Sequence, residues 1–402
     1  MKNYPGMRKL YFQKNLNRTT GQQHADELRN QYGTISLDFK IGDSPAFIQY
    51  CDELVGKISK INRVNHLISI QKKELTWPFM RQICRQFLID EILQTNETEG
   101  VHSTRKEIRE SMDEIERGRH AKRFDGMLRK YQLLVQEDEF PMATCQEIRT
   151  LYDEFIAEEV AKEDASDVPD GEVFRKNPVN IQNQHGEFIH EGLSPEPAIL
   201  NATSSALAFL NDGDYDPLIR MAAFHFLFAY IHPFYNGNGR MARFISSAKL
   251  KEYNLNPLVS YRLSYTIKER RTEYYRLFRE TEDWRNFGDL TQFVIVFLDF
   301  VLQSEVDVLE YLSDQIEKVE HYRVILRKIK FSDDAGEIIG FFVEDALCGN
   351  EGMSRETVRQ YTGLSSYRVR KALEELSQWL IVTGSERKIL YHANLEALDQ
   401  QE

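Results

Sequence analysis

The chain has 402 residues, of which 42% are hydrophobic and 28% are charged. This composition excludes wholesale disorder, and the length exceeds that of one ordinary domain. With 51 Lys and Arg against 63 Asp and Glu, the formal net charge is −12. Such a charge argues against a general electrostatic attraction to nucleic acid or to an anionic membrane. Only 11 Pro and 21 Gly are present, which favours a mainly helical protein over a β-sandwich.

The cysteines and the apolar segments indicate the compartment. Cys51, Cys84, Cys145 and Cys348 lie far apart and form no CxxC pair, which is typical of free thiols in a reducing environment. The N-terminal segment lacks the apolar region of a signal peptide, and no run of about 18 apolar residues predicts a membrane span. We expect a soluble, cytoplasmic protein that does not associate with membranes.

The first 110 residues are predicted to form an arm and a helical segment. Residues 1–43 are polar with little periodicity and indicate a loosely packed N-terminal arm. From Ser44 to about Asn96, apolar residues recur at spacings of three and four, which predicts long helices. Gly100 is a plausible stop for the last of them. These features define an N-terminal helical segment over residues 44–110.

A hairpin is predicted after a further set of amphipathic helices. Helical periodicity continues over residues 103–163, and an acidic loop follows at 162–171. Two short strands on either side of His185-Gly186 then predict a β-hairpin over Pro178–Gly192. An exposed hairpin edge could accept a segment of a protein target as an added strand. The same pattern also suits an ordinary surface hairpin.

The strongest helical signal precedes the most informative stretch of the chain. Asp216 is a natural N-cap and Pro217 suits the first helical position. Almost every residue from Leu218 to Ile231 is apolar, so this helix should be buried at the centre of a bundle. Pro233 ends it, and a second helix is expected to begin near Gly239.

The last segment, residues 321–402, predicts a small α+β domain. Ser354–Tyr361 and Tyr367–Leu380 are two helices joined by a tight turn, and two short strands follow. This order is typical of a winged helix-turn-helix.

The charge of this segment bears on its partner. Arg368, Arg370 and Lys371 on the second helix could contact DNA. However, residues 341–402 contain seven Lys and Arg against ten Asp and Glu, a net charge of −3 that does not suit a DNA reader. DNA binding stays an alternative, and we favour a module that contacts protein or supports a dimer.

The stretch His232-Pro-Phe-Tyr-Asn-Gly-Asn-Gly-Arg240-Met-Ala-Arg243 gathers polar residues where one helix ends and the next begins. Its Gly-Asn-Gly turn leads into a helix N-terminus, where converging N–H groups suit a phosphate. Arg240 and Arg243 are three residues apart and share a helix face, so both can hold a polyphosphate. His232 could deprotonate an attacking hydroxyl. Each element alone is commonly structural, but together they are hard to explain as packing.

This stretch resembles the signature of the Fic family, HPFx(D/E)GNGRxxR, at every fixed position but one. The resemblance covers about residues 44–300 and implies a Fic-type helical bundle with a β-hairpin flap, whose core would span residues 111–320. A winged helix is a frequent C-terminal companion in this family. The implied activity is AMPylation, the transfer of AMP from ATP to a protein hydroxyl.

The resemblance also implies roles for individual residues. They are His232 as the general base; Gly237, Asn238 and Gly239 as the anion hole; Arg240 and Arg243 as the phosphate ligands; and Tyr275 with Phe278 on the adenine side. The two aromatic residues suit the core of a helix equally well.

One departure from the signature concerns the metal. Where the family has Asp or Glu to bind Mg²⁺, this chain has Asn236. An amide offers a carbonyl oxygen without charge, whereas Mg²⁺ favours carboxylates. We therefore expect a weakened Mg²⁺ site and a slower or less metal-dependent transfer.

A second resemblance lies upstream, where residues 95–100 read Thr-Asn-Glu-Thr-Glu-Gly. This fits the family's inhibitory pattern Ser/Thr-x-x-x-Glu-Gly, with Thr95, Glu99 and Gly100 at its fixed positions. Thr95 and Glu99 are four residues apart and therefore share a helix face. Glu99 would pair with Arg243 and keep the terminal phosphate away from it. A solvated acidic helix end is the alternative interpretation.

Three functions therefore remain in competition. The first is an adenylyltransferase inhibited by Glu99, acting on a Ser, Thr or Tyr hydroxyl of a partner or of itself. The second is removal of AMP from a modified protein, with Glu99 orienting a water molecule. The third is a Fic protein weakened at Asn236 that works as a DNA- or protein-binding regulator through its winged helix. The oligomeric state stays open, with a homodimer as one candidate.

Overall fold

The structure is a computed structural model that describes residues 4–136, 140–182, 188–349, 352–385 and 388–401. Helices dominate it, and the strands form three separate antiparallel pairs within these ranges. The predicted mainly helical class is confirmed. The chain divides into two compact units, Met1–Asn65 with Phe87–Val306, and His66–Gln86 with Asp307–Glu402. None of the described helices is both long enough and apolar enough to cross a membrane. The four cysteines are free thiols.

The N-terminal region differs from its prediction. Its elements are α1 (Met7–Gln13), α2 (Arg18–Arg29), β1 (Thr34–Ile41), β2 (Ser44–Gln49), α3 (Asp52–Gln71) and α4 (Trp77–Thr98). Residues 4–43 are therefore no loosely packed arm, because they hold two helices and a strand. Met7, Ala25 and Leu28 pack against Phe47 and Phe287 in a small buried cluster. The alternating burial along β1 is a period-two signal that is easily lost among polar neighbours.

The first long helix also begins later than predicted. Residues 44–49 pair with β1 as strand β2, and the helix begins only at Asp52. The reason is tertiary. The amide of Phe47 donates to the carbonyl oxygen of Gly288 at 3.0 Å, and its carbonyl accepts from the amide of Leu290 at 2.8 Å. A segment that is buried on both faces loses the alternation that identifies a strand.

The middle of the chain supplies the helices around the predicted site. They are α5 (Arg105–Glu116), α6 (Asp125–Val135), α7 (Cys145–Phe155), α8 (Ala157–Glu163), α9 (Glu196–Leu210), α10 (Pro217–Ile231), α11 (Asn238–Glu252), α12 (Pro257–Ser260), α13 (Leu263–Glu269), α14 (Arg271–Glu282) and α15 (Thr291–Lys328). The predicted start of α10 is confirmed, since Asp216 caps the amide of Leu218 and Pro217 is the first helical residue. This helix is buried almost throughout, as its all-round apolar sequence predicts.

The predicted hairpin is present as β3 (Asn180–Gln182) and β4 (Phe188–Glu191), paired antiparallel. The predicted turn at His185-Gly186 lies outside the described residues.

The second unit contains the elements predicted for a winged helix. They are α16 (Asp333–Leu347), α17 (Arg355–Thr362), α18 (Ser366–Glu375), β5 (Leu380–Ser385), β6 (Lys388–Ala393) and α19 (Leu395–Asp399). Gly363 takes a φ of 68° in the turn between α17 and α18. Val358 and Val369 from these helices join Phe342 of α16 in one core. The order of elements agrees with the prediction, and the winged-helix assignment itself stays a prediction.

Candidate active site

His232 lies at the C-terminal end of α10 in the left-handed conformation, with φ 53° and ψ 61°. Its Nδ1 atom is 3.2 Å from the carbonyl oxygen of Ala229. A carbonyl only accepts, so Nδ1 carries the hydrogen and Nε2 keeps its lone pair. Burial lowers the pKa of His232 to about 4. The ring is therefore neutral at pH 7, which is the state that a general base requires.

Helix α11 begins immediately after this loop. Gly237 takes a φ of 83° before its first residue. The side chain of Asn238 bridges the loop, since its Oδ1 accepts from the amide of Phe234 at 2.9 Å and its Nδ2 donates to the carbonyl of Phe234 at 2.8 Å. The amides of the first helical turn have no partner within the helix. The loop is thus fixed from within, while the helix N-terminus keeps the donors that suit an anion.

Arg243 is buried and contacts helix α4 through three of its nitrogen atoms. Its Nε donates to Oγ1 of Thr95 at 2.8 Å and its Nη2 donates to the Thr95 carbonyl at 3.0 Å. Its Nη1 lies 2.8 Å from Oε1 of Glu99. The sequence predicted that Thr95 and Glu99 share a helix face, and the structure brings both to Arg243. Gly100 follows with a φ of 77°, just beyond the end of α4.

The Glu99 carboxylate lies directly over the start of α11. Its partial burial would raise its pKa, but Arg243 outweighs this effect, and the pKa of Glu99 is lower than usual. An added Cβ at Gly239 would be 2.1 Å from Oε1 of Glu99, so only glycine permits this approach. Arg240 and His232 also act electrostatically on the same carboxylate. Glu99 is therefore an ionised group placed among the residues predicted to bind phosphate.

Helix α4 is held in this position by a third residue on the same face. Glu91 precedes Thr95 by four residues and is fully buried. Its carboxyl group accepts from the amide of Ser264 at 2.9 Å and from the hydroxyl of Tyr131 at 3.0 Å. Burial raises the pKa of Glu91 to about 7. Glu91 thus fixes α4 to α13 and α6, one turn before residues 95–100.

Arg240 has a carboxylate partner that the sequence did not predict. Its Nη1 and Nη2 atoms contact the two oxygens of Glu163, the last residue of α8, at 2.7 and 2.8 Å. Arg240 is fully buried, and its Nε has no hydrogen-bond partner among the described residues. Both arginines of the signature are therefore neutralised by glutamates, but from different helices.

Asn236 is oriented by the groups around it. Its Oδ1 accepts from the amide of Gly237 at 2.6 Å and from Nη2 of Arg240 at 3.2 Å. Its Nδ2 faces two carboxylates, Asp167 at 3.0 Å and Glu163 at 3.5 Å. The amide thus presents N–H groups, and not oxygen, toward the acidic side of the loop.

This arrangement does not suit a Mg²⁺ ion at residue 236. The one metal-binding atom of Asn236 already accepts two N–H groups, and Mg²⁺ favours carboxylates. Over the described ranges, no three His, Cys, Asp or Glu residues are grouped in a way that could hold a metal ion. Glu163 and Asp167 are the carboxylates that contact the amide among the described residues, and Glu163 is engaged by Arg240.

The two aromatic residues predicted on the nucleotide side lie in different surroundings. The hydroxyl of Tyr275 is 3.4 Å from the carbonyl oxygen of Thr98 and therefore lies beside residues 95–100. Phe278 stacks on Phe226 and packs against Phe293. Tyr275 is thus brought to the site, whereas Phe278 belongs to the aromatic packing around α10.

The base of the hairpin lies against the end of α10. The amide of Leu193 donates to the carbonyl of Ile231 at 3.1 Å. On strand β4, Nε2 of His190 is 2.7 Å from the carbonyl oxygen of Tyr230, and its Nδ1 is 3.0 Å from Oε2 of Glu282. Both partners are acceptors, so the His190 ring satisfies both only when it is protonated on both nitrogens. Despite the opposing effect of burial, the pKa of His190 is raised by Glu282.

Several site residues escaped sequence reasoning. Four residues reach the site from segments far from the signature in sequence: Glu91, Glu163, Asp167 and Arg175. Glu163 and Arg240, for example, are 77 positions apart. Their spacing therefore carries no signal. Only the departure at position 236 could have indicated them, because without a carboxylate there Arg240 needs a negatively charged partner from another segment.

Comparison with known proteins identifies a family match and a similar fold. Residues 141–250 match the Fic/DOC family. A Fic family protein from Desulfovibrio desulfuricans G20 is similar in structure, with a TM-score of 0.53 and 19% identity over 86% of this chain and 97% of its own.

Two further solved structures have lower scores. A Fic domain containing signaling protein from Bacteroides thetaiotaomicron VPI-5482 has a TM-score of 0.45 and 17% identity, over 63% of this chain and 97% of its own. Fic-1 (residues 134–508) from C. elegans has a TM-score of 0.44 and 19% identity, over 65% of this chain and 73% of its own.

The resemblance drawn from the signature is confirmed at the level of the family by the match over residues 141–250, while the inhibitory class stays a prediction. The chain contains a Fic/DOC family domain.

Proposed function

We propose that the protein is an adenylyltransferase that moves AMP from ATP to a Ser, Thr or Tyr hydroxyl of a protein partner or of itself. The observation that supports this most is the convergence of a neutral His232 and two buried arginines at the N-terminus of α11. Fic family proteins typically transfer nucleotidyl groups to proteins, and the matched residues include this convergence.

The proposed reaction is a displacement at the α-phosphorus of ATP. Nε2 of His232 takes the proton of the target hydroxyl, whose oxygen forms a bond to the α-phosphorus. The bond between that phosphorus and the bridging oxygen breaks, and pyrophosphate leaves. The amides at the start of α11 stabilise the charge on the transferred phosphate, while Arg240 and Arg243 hold the leaving phosphates. Nε of Arg240, a buried donor without a partner in the described part of the chain, is free for a phosphate oxygen.

We further propose that Glu99 inhibits this reaction. Its carboxylate occupies Nη1 of Arg243 at 2.8 Å, where the terminal phosphate would bind. The negative charge of this carboxylate would also repel the triphosphate of ATP. We propose Mg²⁺ as a counter-ion of the nucleotide, as the resemblance implies. No step of the proposed reaction requires a metal held by residue 236, because the donor set there does not suit one.

Labelled ATP tests the transfer and the inhibition together. Wild-type protein should label itself or a partner weakly, and Glu99→Gly should label more strongly, because the variant frees Arg243. Glu97→Gly is the matched control, since Glu97 pairs with Lys268 at 3.1 Å and not with Arg243. His232→Ala in the Glu99→Gly background should lower the rate of labelling by a factor of about 10²–10⁴. Labelling that survives His232→Ala contradicts the proposed base, and a silent Glu99→Gly that still binds ATP contradicts the proposed inhibition.

Removal of AMP from a modified protein is a second candidate. The low pKa of Glu99 keeps it ionised, so it can accept a proton from a water molecule. Release of AMP from an AMPylated protein by the wild type, but not by Glu99→Gln, would favour hydrolysis over transfer.

A third candidate is a regulator that acts through residues 321–402. The exposed cations of α18 are partly neutralised, since Arg368 pairs with Asp334, and Arg370 lies 3.9 Å from Glu374. This pairing favours a protein partner over DNA, as the net charge does. Salt-dependent DNA binding in a gel shift, with no transfer by Asn236→Asp, would favour the regulator instead.

A further inference from the structure

The C-terminal end of α10 has an unusual set of partners for its carbonyl groups. The last carbonyls of a helix have no partner within it. Here five consecutive carbonyl oxygens, from Ala229 to Pro233, are each engaged. The partners in order are Nδ1 of His232 at 3.2 Å, Nε2 of His190 at 2.7 Å, the amide of Leu193 at 3.1 Å, Nε of Arg175 at 2.9 Å and the amide of Arg175 at 3.2 Å. Four of these five contacts come from the hairpin or from residues at its base.

Arg175 makes the largest contribution to this set. Its side chain is fully buried, and within the described part of the chain its guanidinium donates to backbone carbonyls. Besides Nε on His232, its Nη1 donates to the Asn177 carbonyl at 2.7 Å and its Nη2 donates to the Leu193 carbonyl at 2.8 Å. One guanidinium group therefore joins the segment before β3, the segment after β4 and the carbonyl of the proposed base.

The surroundings leave this guanidinium little freedom. An added Cβ at Gly192 would be 2.5 Å from Nη2 of Arg175 and 2.9 Å from Cβ of His232. The hairpin thus passes in direct contact with both residues. A cation at the C-terminal end of a helix also complements the helix dipole.

The backbone of His232 needs such support. A residue other than glycine seldom adopts its left-handed φ and ψ, and such a conformation persists where the surrounding structure imposes it. The direction of the imidazole follows from this backbone conformation. Arg175 holds the His232 carbonyl, so it fixes where Nε2 points without itself reaching the site of transfer.

We propose that Arg175 is a positioning residue that holds His232 and both ends of the hairpin in one arrangement, so that the base and a docked target segment meet in register. This proposal rests on the proposed transfer reaction. It predicts that Arg175 governs the rate of the chemical step more than the binding of ATP, because Arg240 and Arg243 lie outside its contacts.

The kinetic test uses the uninhibited Glu99→Gly protein as background. Arg175→Ala should lower kcat on the order of 100-fold, the effect expected when a reacting group is displaced by about 1 Å, with the KM for ATP unchanged. Added guanidinium ion should restore part of the rate by entering the vacated space. Arg175→Lys keeps the charge but cannot engage three carbonyls with a planar fork, so it should also be slow. A kcat equal to that of the background in both variants overturns the proposal.

Arg220 provides the matched control. It lies near the N-terminal end of α10, and its guanidinium donates to the carbonyls of Tyr215 at 3.0 Å and Leu210 at 2.7 Å. Arg220→Ala should leave kcat and its response to guanidinium unchanged. An equal loss of kcat in Arg220→Ala would show that Arg175 contributes only to general stability, and would overturn the proposal.

A second measurement does not depend on transfer activity. Hydrogen exchange of the Leu193 and Gly192 amides in the full chain should become faster in Arg175→Ala and Arg175→Lys, and stay unchanged in Arg220→Ala. Unchanged exchange in the Arg175 variants overturns the proposal even where kcat falls. If Glu99→Gly itself transfers no AMP, the proposed function fails, whereas the exchange experiment still decides whether Arg175 holds the hairpin.

Discussion

The two arginines of α11 are neutralised in different ways, although they are only one helical turn apart. Arg243 receives one carboxylate contact, from Glu99, and keeps two further acceptors on Thr95. Arg240 receives both oxygens of Glu163, and its remaining acceptor is the amide of Asn236. The Glu99–Arg243 pair can open while Arg243 remains hydrogen-bonded to Thr95. Glu163, by contrast, supplies the negative charge that compensates the buried Arg240. This contrast distinguishes Glu99, the proposed inhibitor, from Glu163, a counter-ion that supports the fold of the site.

The largest expected effect concerns stability. Glu163→Gln should lower the free energy of unfolding by about 1–3 kcal/mol, because it removes the charge that compensates a buried guanidinium. Glu99→Gln should cost less than Glu163→Gln, since Arg243 retains its two hydrogen bonds to Thr95. Urea unfolding of the full chain measures both changes.

Glu158→Gln is the control for that comparison. Glu158 pairs with Lys162 on the exposed side of the same helix α8 as Glu163, and its side chain is 72% exposed. Its replacement should leave the unfolding free energy nearly unchanged. Equal losses in the Glu163 and Glu99 variants would contradict the distinction between the two pairs.

A double-mutant cycle at Arg240 sharpens the comparison. Asn236→Asp replaces an amide that donates to Asp167 and Glu163 with a third carboxylate, so it should destabilise the wild type. In the Glu163→Gln background the same change restores a carboxylate to Arg240 and should be tolerated. We expect a coupling of about 1 kcal/mol between positions 163 and 236, measured from the unfolding free energies of the four proteins. Additive effects would mean that the two side chains do not share Arg240.

The smallest expected effect is on stability as a function of pH, which should change in opposite directions for the contacts of His190 and of Glu99. The raised pKa of His190 means that its stabilising contact with Glu282 and Tyr230 is fully present below the ordinary histidine pKa of 6.5 and is lost as pH rises through the folded-state value. The lowered pKa of Glu99 has the opposite sign, so its contribution is present above pH 4.5 and is lost as pH falls through the folded-state value.

Hydrogen exchange of the Leu193 amide between pH 6 and 9, corrected for the intrinsic rate, reports on the His190 contact. Protection should fall with rising pH, by an amount equivalent to roughly 0.3–1 kcal/mol, the usual contribution of a cation at a helix C-terminus. Besides Glu282, the groups facing His190 are His232 and Glu191. His190→Gln should remove the pH dependence, and protection that stays constant in the wild type would contradict a charged His190.

Sequence reasoning reached those parts of the site that depend on local spacing. The turn from His232 to Arg243 and the shared face of Thr95 and Glu99 both follow from helix geometry, so the structure brings together residues that were predicted from the pattern. Tyr275 is likewise near residues 95–100, whereas Phe278 packs around α10.

The remainder depends on contacts between distant segments. Glu163 and Arg175 carry no local signal, because their partners are fixed by how α8 and the hairpin pack against α10 and α11. The same cause explains the strand at Ser44–Gln49, which pairs with β1 and with the backbone around Gly288. The apolar spacing that begins in this segment suits a helix, but its backbone partners in the tertiary structure make it a strand.

The close approach at Gly239 has a consequence for how this protein can vary. The same missing Cβ that admits the Glu99 carboxylate also admits the phosphate proposed to replace it. A substitution at Gly239 would exclude both the Glu99 carboxylate and the proposed nucleotide, so no such variant is expected among hyperactive mutants. A genetic screen for gain of function should instead recover changes at Glu99 and Thr95. Under the proposed inhibition, changes that release the enzyme and changes that inactivate it would fall in different codons of one gene.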